Sequence, residues 1–417
     1  MNISKLADSI TTSPILTFAA EVNSKIAAGE KIYNLTVGDF NSSIYQIPDE
    51  LKQGIIKAYQ DNHTNYPGAF GLLNLRKAIK LLNEDFFQVA IDVDNILISS
   101  GSRPLIYSAY KTIVDPDDNV LFPVPSWNND YYTILSAGNP IIIETKAENN
   151  FMPTKQELEP HLHNASLLAL CSPQNPTGTM LSRQQVADIC QLIVAENQRR
   201  GKHEKPLYVM FDQVYCLLAF EQSSFHHAQK INQDISKYAI FIEGMSKAFA
   251  GTGIRVGWAT GPKHIIAKMR SLVAHLGAWA PKAEQHATGE YLNNLPAVNS
   301  YLADFNQRLS KILNKLHTGF QAMKAEGLPV NSIVPEASMY LSVQFNIQGK
   351  SFEGRELTTN DDVQSFLLSQ AKVAVLPFSW FGAVNCSSWF RISVGTININ
   401  AVDNILQSIK EAVKRLN

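Results

Sequence analysis

Short apolar runs alternate with longer helix-like stretches between residues 90 and 260. The six runs are Asn95–Ser99, Asn119–Phe122, Pro140–Glu144, Leu167–Cys171, Leu207–Asp212 and Ala239–Glu243. Strands that are apolar throughout are typical of a mostly parallel sheet, because crossover helices cover both of its faces. The pattern therefore predicts an α/β fold built on such a sheet.

Reactive side chains follow two of these predicted strands. Asp212 is the last residue of one strand, and Ser246 and Lys247 come shortly after another. In parallel sheets of this kind, ligands bind beyond the carboxyl ends of the strands. We therefore expect Asp212 and Lys247 to lie in one ligand site.

The segment that contains Lys247, EGMSKAFAGTGIRVGWATG, is small, apolar and rich in glycine. Its arginine, Arg255, comes eight positions after the lysine. An amine can condense with an aldehyde, and a guanidinium group can pair with two phosphate oxygens. The segment therefore favours binding of a cofactor that carries both an aldehyde and a phosphate.

The same segment resembles the lysine motif of the class I/II aminotransferases, which are pyridoxal-phosphate (PLP) enzymes of fold type I, aspartate aminotransferase-like. Further motifs match that family in the same order along the chain. They are YPGAFGLLNLR from Tyr66, SSGSRP from Ser99, PVPSWNNDY from Pro123, SPQNPTG from Ser172, FDQVY from Phe211 and WFRISV from Trp389. The resemblance extends from about Ser13 to Thr396.

The resemblance implies a large PLP-binding domain at residues 46–299, with a mostly parallel seven-stranded sheet flanked by helices. Residues 1–45 and 300–417 would form a smaller α+β domain from both chain ends. Two domains also suit a chain of 417 residues. A helix with one buried face is predicted near residues 297–326 by an apolar stripe: Leu302, Phe305, Leu309, Ile312, Leu316, Phe320 and Met323.

In the family, the residue that matches Lys247 is catalytic: it forms the Schiff base with PLP and shuttles a proton. Asp212 would keep the pyridine nitrogen protonated, which makes the ring a better electron sink. Asn175 and Tyr215 would bond the phenolic oxygen. The full set of cofactor-binding residues that the resemblance implies is Tyr66, Ser102, Arg103, Trp127, Asn175, Asp212, Tyr215, Ser246, Lys247 and Arg255.

The phosphate and the ring face have further expected partners. The backbone N–H groups of Ser102 and Arg103 would meet the phosphate at the positive end of a helix. Trp127 would stack on the pyridine ring, although a tryptophan is more often a core residue. Tyr66 would reach the phosphate bound by the neighbouring subunit.

Substrate binding is assigned by the resemblance to Gly38, Asn175 and Arg391. A planar guanidinium group such as that of Arg391 binds a carboxylate through two parallel hydrogen bonds, which a lysine cannot copy. An arginine in an alternating strand is otherwise usually a surface residue.

The chain departs from the family at three positions. Gln213 replaces the Glu of the commoner Asp-Glu-x-Tyr motif, Phe40 replaces a Pro, and Phe378 replaces the Gly of a Pro-Gly-Ser motif. The last two lie on the substrate side, so they affect the expected substrate rather than the chemistry.

The expected activity is transfer of the amino group of an L-α-amino acid to a 2-oxo acid by a ping-pong mechanism. The motifs do not separate this reaction from that of a β-lyase or an aminocyclopropane-carboxylate-synthase-like enzyme of the same fold. A catalytically inactive binding domain is the alternative from another class, and it is disfavoured because Lys247, Asp212 and Arg391 are all present.

Composition narrows the partners and the compartment. The formal net charge of -1 gives no reason to expect nucleic acid or an anionic membrane. The four cysteines are scattered, which favours reduced thiols and a cytoplasmic location. No metal-ligand spacing is present in the sequence, so no metal is expected. Small amino-acid and 2-oxo-acid substrates are expected, with a homodimer in which Tyr66 crosses the interface.

Overall fold

The computed structural model describes residues 3–220, 225–385 and 388–417; Cys386, one of the four cysteines, lies outside them. The helices are α1 Lys5–Ser9, α2 Pro14–Ala27, α3 Asp49–Gln60, α4 Leu73–Phe87, α5 Arg103–Ile113, α6 Asn129–Leu135, α7 Lys155–Leu158, α8 Arg183–Arg200, α9 Ala228–Ile231, α10 Met245–Ala248, α11 Lys263–His275, α12 Lys282–Asn293, α13 Leu295–Ala325, α14 Asn360–Phe366 and α15 Val402–Lys414. The strands are β1 Tyr33–Asn34, β2 Ile96–Ser100, β3 Asn119–Val124, β4 Asn139–Glu144, β5 Ala165–Cys171, β6 Tyr208–Asp212, β7 Ala239–Gly244, β8 Val256–Thr260, β9 Val330–Ser332, β10 Tyr340–Phe345, β11 Ser351–Phe352, β12 Arg355–Glu356, β13 Val373–Ala374, β14 Leu376–Pro377 and β15 Trp389–Ser393.

The larger sheet has seven strands in the order β2-β8-β7-β6-β5-β3-β4. The strands from β7 to β4 in that order pair in parallel, whereas β8 is antiparallel to both of its neighbours. All six predicted strands form, with ends within two residues of those expected. The prediction of an α/β fold with a mostly parallel seven-stranded sheet is therefore confirmed.

The apolar runs are strands because each is buried on both faces. Strands β5, β6 and β7 carry buried side chains at nearly every position, and helices cover the sheet on either side. At about 25 cal/mol per Å² of apolar surface, this burial is the main term that stabilises the sheet. The parallel arrangement brings the carboxyl ends of these strands to one edge, where the site lies.

The second sheet has four antiparallel strands in the order β14-β15-β10-β9. The long helix α13 packs on it, and the whole predicted stripe from Leu302 to Met323 is buried. Helix α13 begins at Leu295 and continues through residue 299 without a break, so the expected boundary falls inside a helix. The division of the chain into two domains stays a prediction.

No helix among the described residues is both long and apolar enough to cross a membrane.

Candidate active site

A cavity of about 420 Å³ lies at the carboxyl edge of the larger sheet, between that sheet, β10, β15 and α2. Most of the side chains predicted for the site line it. These are Gly38, Ser102, Arg103, Trp127, Asn175, Asp212, Tyr215, Lys247 and Arg391. Tyr66, Ser246 and Arg255 are not among its lining residues.

Lys247 reaches this cavity because β7 ends at Gly244 and the single turn α10 follows at once. Its Nζ donates a hydrogen bond to the carbonyl oxygen of Gly38 at 2.6 Å. Burial is the largest effect on this amine and lowers the pKa of Lys247 to about 8, while the cationic Arg391 and Arg103 lower it further and Asp39 opposes them. Burial, rather than the cationic neighbours, is therefore the first cause of the lowered pKa of Lys247.

Asp212 ends β6, the strand beside β7, and its carboxylate faces the same cavity. One carboxylate oxygen accepts a hydrogen bond from the backbone N–H of Val214 at 3.3 Å. Burial raises the pKa of Asp212 to about 6, and Lys247 opposes this rise only weakly. A buried carboxylate of this kind is stabilised by a cationic N–H group placed against it, such as a protonated ring nitrogen.

Asn175 and Arg391 form one unit across the two sheets. Arg391, on β15, is almost fully buried, and its Nη1 donates to Oδ1 of Asn175 at 2.8 Å. Because arginine has only donors, the amide oxygen of Asn175 must face it, which leaves the amide NH₂ free to donate elsewhere. The amide NH₂ of Asn175, which lines the cavity, is thus available to an acceptor on a bound ligand.

The guanidinium group of Arg391 has N–H donors beyond the one that bonds Asn175. Its Nη2 donates to the carbonyl oxygen of Thr36, and its Nε is buried without a hydrogen-bond partner among the described residues. The group also lies over the rings of Tyr340 and Phe381, at 4.7 and 5.0 Å from their centroids. A buried cation with an unpaired donor and no carboxylate partner in the described part of the chain fits an anionic ligand such as a carboxylate.

A second anion site is formed by the loop between β2 and α5. Gly101 has a φ of +81°, which favours glycine, and a Cβ there would lie 2.8 Å from the Arg255 Cζ and displace that guanidinium group. Arg255 itself adopts a φ of +58°, and it donates to the carbonyl oxygens of Ser100 and Thr252. The eleven-residue helix α5 begins at Arg103, so a positive helix end and a guanidinium group meet here, and they fit a phosphate.

Trp127 and Arg103 lie on the remaining wall. The indole of Trp127 is half-buried and its centroid is 6.2 Å from that of Phe381. The guanidinium carbon of Arg103 lies 5.6 Å from the Trp127 ring centroid, and Arg103 makes no ion pair with a described residue. The exposed ring surface of Trp127 offers a flat apolar contact within the cavity.

Comparison with known proteins decides the family. The family model described as "Aminotransferase class I and II" matches residues 30–409. This chain belongs to that family.

Relatives of this aminotransferase support the same assignment. A probable aspartate/prephenate aminotransferase of Rickettsia conorii is 29% identical over 94% of each chain. An aspartate aminotransferase of Bacillus sp. strain YM-2 is 27% identical over 97% of each chain. The crystal structure of the aspartate aminotransferase from Rhizobium meliloti matches with a TM-score of 0.89 at 24% identity, covering 100% of both chains. That last likeness shows the fold.

Tyr66 lies apart from the active-site cavity of its own aminotransferase chain. It is 83% exposed and its ring contacts Trp279 at a centroid distance of 5.3 Å. The two residues line a separate surface cavity of about 640 Å³. The side chain is therefore free to meet another molecule, and its expected role across an interface stays a prediction.

Several side chains of this site were missed from the sequence. The Tyr340 hydroxyl lies 2.8 Å from that of Tyr215, and Asp39 accepts a hydrogen bond from Thr252 at 2.8 Å while its charge acts on Lys247. Helix α2 contributes Ile15, Leu16 and Ala19 to the wall. Tyr340 lies in none of the family motifs, whereas Asp39 directly follows Gly38 and could have been identified from that motif.

Proposed function

We propose that this aminotransferase holds pyridoxal phosphate through Lys247 and moves the amino group of an L-α-amino acid to a 2-oxo acid in ping-pong order. One observation carries the proposal: the buried amine of Lys247 shares a cavity with the carboxylate of Asp212 and the guanidinium group of Arg391. These are the three groups that a cofactor aldehyde, a pyridine nitrogen and a substrate carboxylate need.

The residues present fit the cofactor at each of its polar groups. Lys247 would bond its aldehyde carbon, Asp212 its ring nitrogen, the free amide of Asn175 its phenolic oxygen, and Arg255 with the start of α5 its phosphate. When bound, pyridoxal phosphate supplies an electron sink that makes loss of a proton from the substrate α carbon easier. Ser246, half-buried beside Lys247, and Trp127 are expected to complete the contacts.

Arg391 would bind the α-carboxylate of the substrate through its unpaired Nε and an Nη N–H group. The α carbon would then lie within reach of Lys247, because Lys247 and Arg391 both lie beside Gly38 in the cavity lining. A pKa of about 8 leaves part of the amine unprotonated near neutral pH, so Lys247 would take a proton from the α carbon and deliver it to the cofactor carbon that carried the aldehyde. The second half-reaction runs the same steps in reverse with a 2-oxo acid.

Aspartate is the first amino acid to test as substrate. Two relatives carry names that contain aspartate aminotransferase or aspartate/prephenate aminotransferase. Arg103 also lines the cavity without an ion-pair partner among the described residues. An acidic side chain would complement this cation.

The protein is further proposed to be a cytoplasmic homodimer. The exposed position of Tyr66, outside the cavity of its own chain, supports a contact with the neighbouring subunit. Light scattering on purified protein tests the assembly, and a monomer with full activity would contradict the role of Tyr66.

The chemical test is to reconstitute the protein with pyridoxal phosphate, reduce it with borohydride and map the modified peptide. The label should lie on Lys247, and Lys247→Ala should bind no chromophore and show no transamination. Lys263→Ala is the matched control, since that side chain is 73% exposed and outside the cavity. A label on another peptide would overturn the proposal.

The reaction type is tested by mixing each of the twenty amino acids with the reconstituted protein in a stopped-flow spectrometer. A transaminase converts its bound cofactor once and stops until a 2-oxo acid is added. Continuous release of pyruvate and ammonia without any acceptor would instead identify a β-lyase.

A further inference from the structure

A fully buried pair of polar side chains lies directly behind the active site. Nε2 of Gln213 donates to Oε1 of Glu243 at 2.7 Å, and Nε1 of Trp258 donates to Oε2 of the same carboxylate at 3.2 Å. All three residues are at most 2% exposed. Both carboxylate oxygens of Glu243 are thus held by neutral donors.

The pair joins the two strands that carry the reacting groups. Gln213 follows Asp212 at the end of β6, and Glu243 lies on the parallel neighbour β7, four residues before Lys247. A backbone hydrogen bond from the N–H of Gln213 to the carbonyl oxygen of Ile242, at 2.9 Å, lies beside it. Asp212 and Lys247 would hold opposite ends of the cofactor ring. The distance between the ends of β6 and β7 therefore sets the distance between these two cofactor contacts.

Burial of the Gln213–Glu243 pair costs free energy that an apolar pair of the same volume would not. No described cation pairs with Glu243, and burial raises the pKa of its carboxyl to about 7. The titratable group whose pKa Glu243 perturbs is the thiol of Cys216, also buried. A buried carboxyl held only by neutral donors is usually less stable than apolar packing of the same volume, which indicates a role other than stability.

We propose that Gln213 and Glu243 are positioning residues. Their hydrogen bond fixes the position of Asp212 relative to Lys247 and thereby the position of the cofactor ring. The inference rests on the proposed function, since it needs a cofactor held by both residues. It also gives the departure at position 213 a physical reason: a glutamine there donates to the carboxylate of Glu243, which an ionised glutamate could not do.

The test exchanges the two side chains. Gln213→Glu places two carboxyl groups 2.7 Å apart, which share one proton at low pH. When that proton is lost at higher pH, repulsion between two carboxylates replaces the hydrogen bond. Cofactor affinity, measured by absorbance titration, and kcat should each fall about tenfold at pH 8, and the pH midpoint of the bound cofactor's absorbance should shift. KM should change less, because Arg391 is untouched.

The double variant Gln213→Glu/Glu243→Gln restores one carboxyl and one amide in reversed order. It should recover affinity, kcat and the absorbance midpoint to within about threefold of the original protein, which is the coupling expected for residues in direct contact. Losses that simply add in the double variant would overturn the proposal. So would a Gln213→Glu variant that loses stability but keeps the original absorbance midpoint and kcat.

Asn197→Asp is the matched control. Asn197 is a buried amide whose side chain donates to Leu207 at 2.8 Å, just before the other end of β6. The change introduces the same kind of buried carboxyl, so it should lower the free energy of unfolding without moving the absorbance midpoint. If Gln213→Glu does not fold, Glu243→Gln against the double variant gives the same comparison. Failure of the original protein to bind pyridoxal phosphate would instead refute the proposed function.

Discussion

Gly178, the last residue of the NPTG motif, allows a test of whether this loop requires a glycine at that position. Its φ is +75°, and a Cβ there would lie 2.8 Å from the carbonyl carbon of Tyr340 and closer still to the oxygen. The carbonyl oxygen of Gly178 accepts hydrogen bonds from the N–H groups of Glu336 and Ala337. Tyr340 is paired with Ser393 of β15, and β10 is also paired with β9 from Val343 onward, so its backbone resists movement away from an added methyl group.

The substitution Gly178→Ala therefore combines two costs. A non-glycine residue in the left-handed region loses about 1–2 kcal/mol, and forcing a methyl group into a packed backbone contact adds about 1–3 kcal/mol. Gly327→Ala is the matched control, because Gly327 has a φ of +86° with no atom within 4 Å of the added Cβ. The control should show only the first cost.

Urea unfolding of the two cofactor-free variants measures the difference. We expect Gly178→Ala to lose about 1–3 kcal/mol more free energy of unfolding than Gly327→Ala. We also expect weaker cofactor binding in Gly178→Ala alone, since Tyr340 carries the hydroxyl that meets Tyr215. Equal losses in both variants would refute the reasoning, because they would show that the loop relaxes freely.

Three other substitutions test the electrostatics of the cavity. The pKa of Lys247 is lowered to about 8 in the fold, so protonated Lys247 destabilises the cofactor-free protein below pH 8, and this cost fades as the pH rises toward 10.5. Lys247→Met should therefore raise the free energy of unfolding by about 2 kcal/mol at pH 7 and by less at pH 9.5; equal gains at both pH values would contradict this. The pKa of Asp212 is raised to about 6, so the stability of the original protein should fall as the pH rises from about 4 to 6, and Asp212→Asn should show a smaller fall in urea titrations across that range. Arg391→Lys loses the forked donor and should lower kcat/KM for amino acids about 10- to 100-fold, with cofactor affinity, read by absorbance, little changed; an unchanged kcat/KM would exclude Arg391 as the carboxylate site.

The larger sheet was predictable because its strands are apolar on both faces. The strand that escaped prediction is β8, which contains Gly257 in place of a branched residue. A Cβ at Gly257 would lie 2.7 Å from the backbone nitrogen of Ser102. The anion-binding loop can therefore approach β8 this closely because residue 257 has no side chain. A functional constraint thus removed the local signal on which strand prediction depends.

The site was predictable where a residue follows a strand end or lies inside a motif. Lys247, Asp212 and Asn175 meet both conditions. Tyr340 meets neither, because its partner Tyr215 is 125 positions away along the chain and only the fold brings them together. Likewise, the hydrogen-bond partner of Gln213 could not be found from the sequence, since Glu243 lies on another strand.

The direction of the pKa shifts separates the groups that need a ligand from those that the fold already satisfies. Burial disfavours the charged forms of Lys247, Asp212 and Arg391 alike, and the pKa of each group moves accordingly. Glu196, by contrast, is held by two arginines, and its pKa is lowered to about 2. A shift toward the neutral form is not sufficient by itself, because Glu243 has one and faces no cavity. The three cavity groups combine the unfavourable shift with a position in the lining of one cavity, and this combination is what a site built for a charged ligand requires.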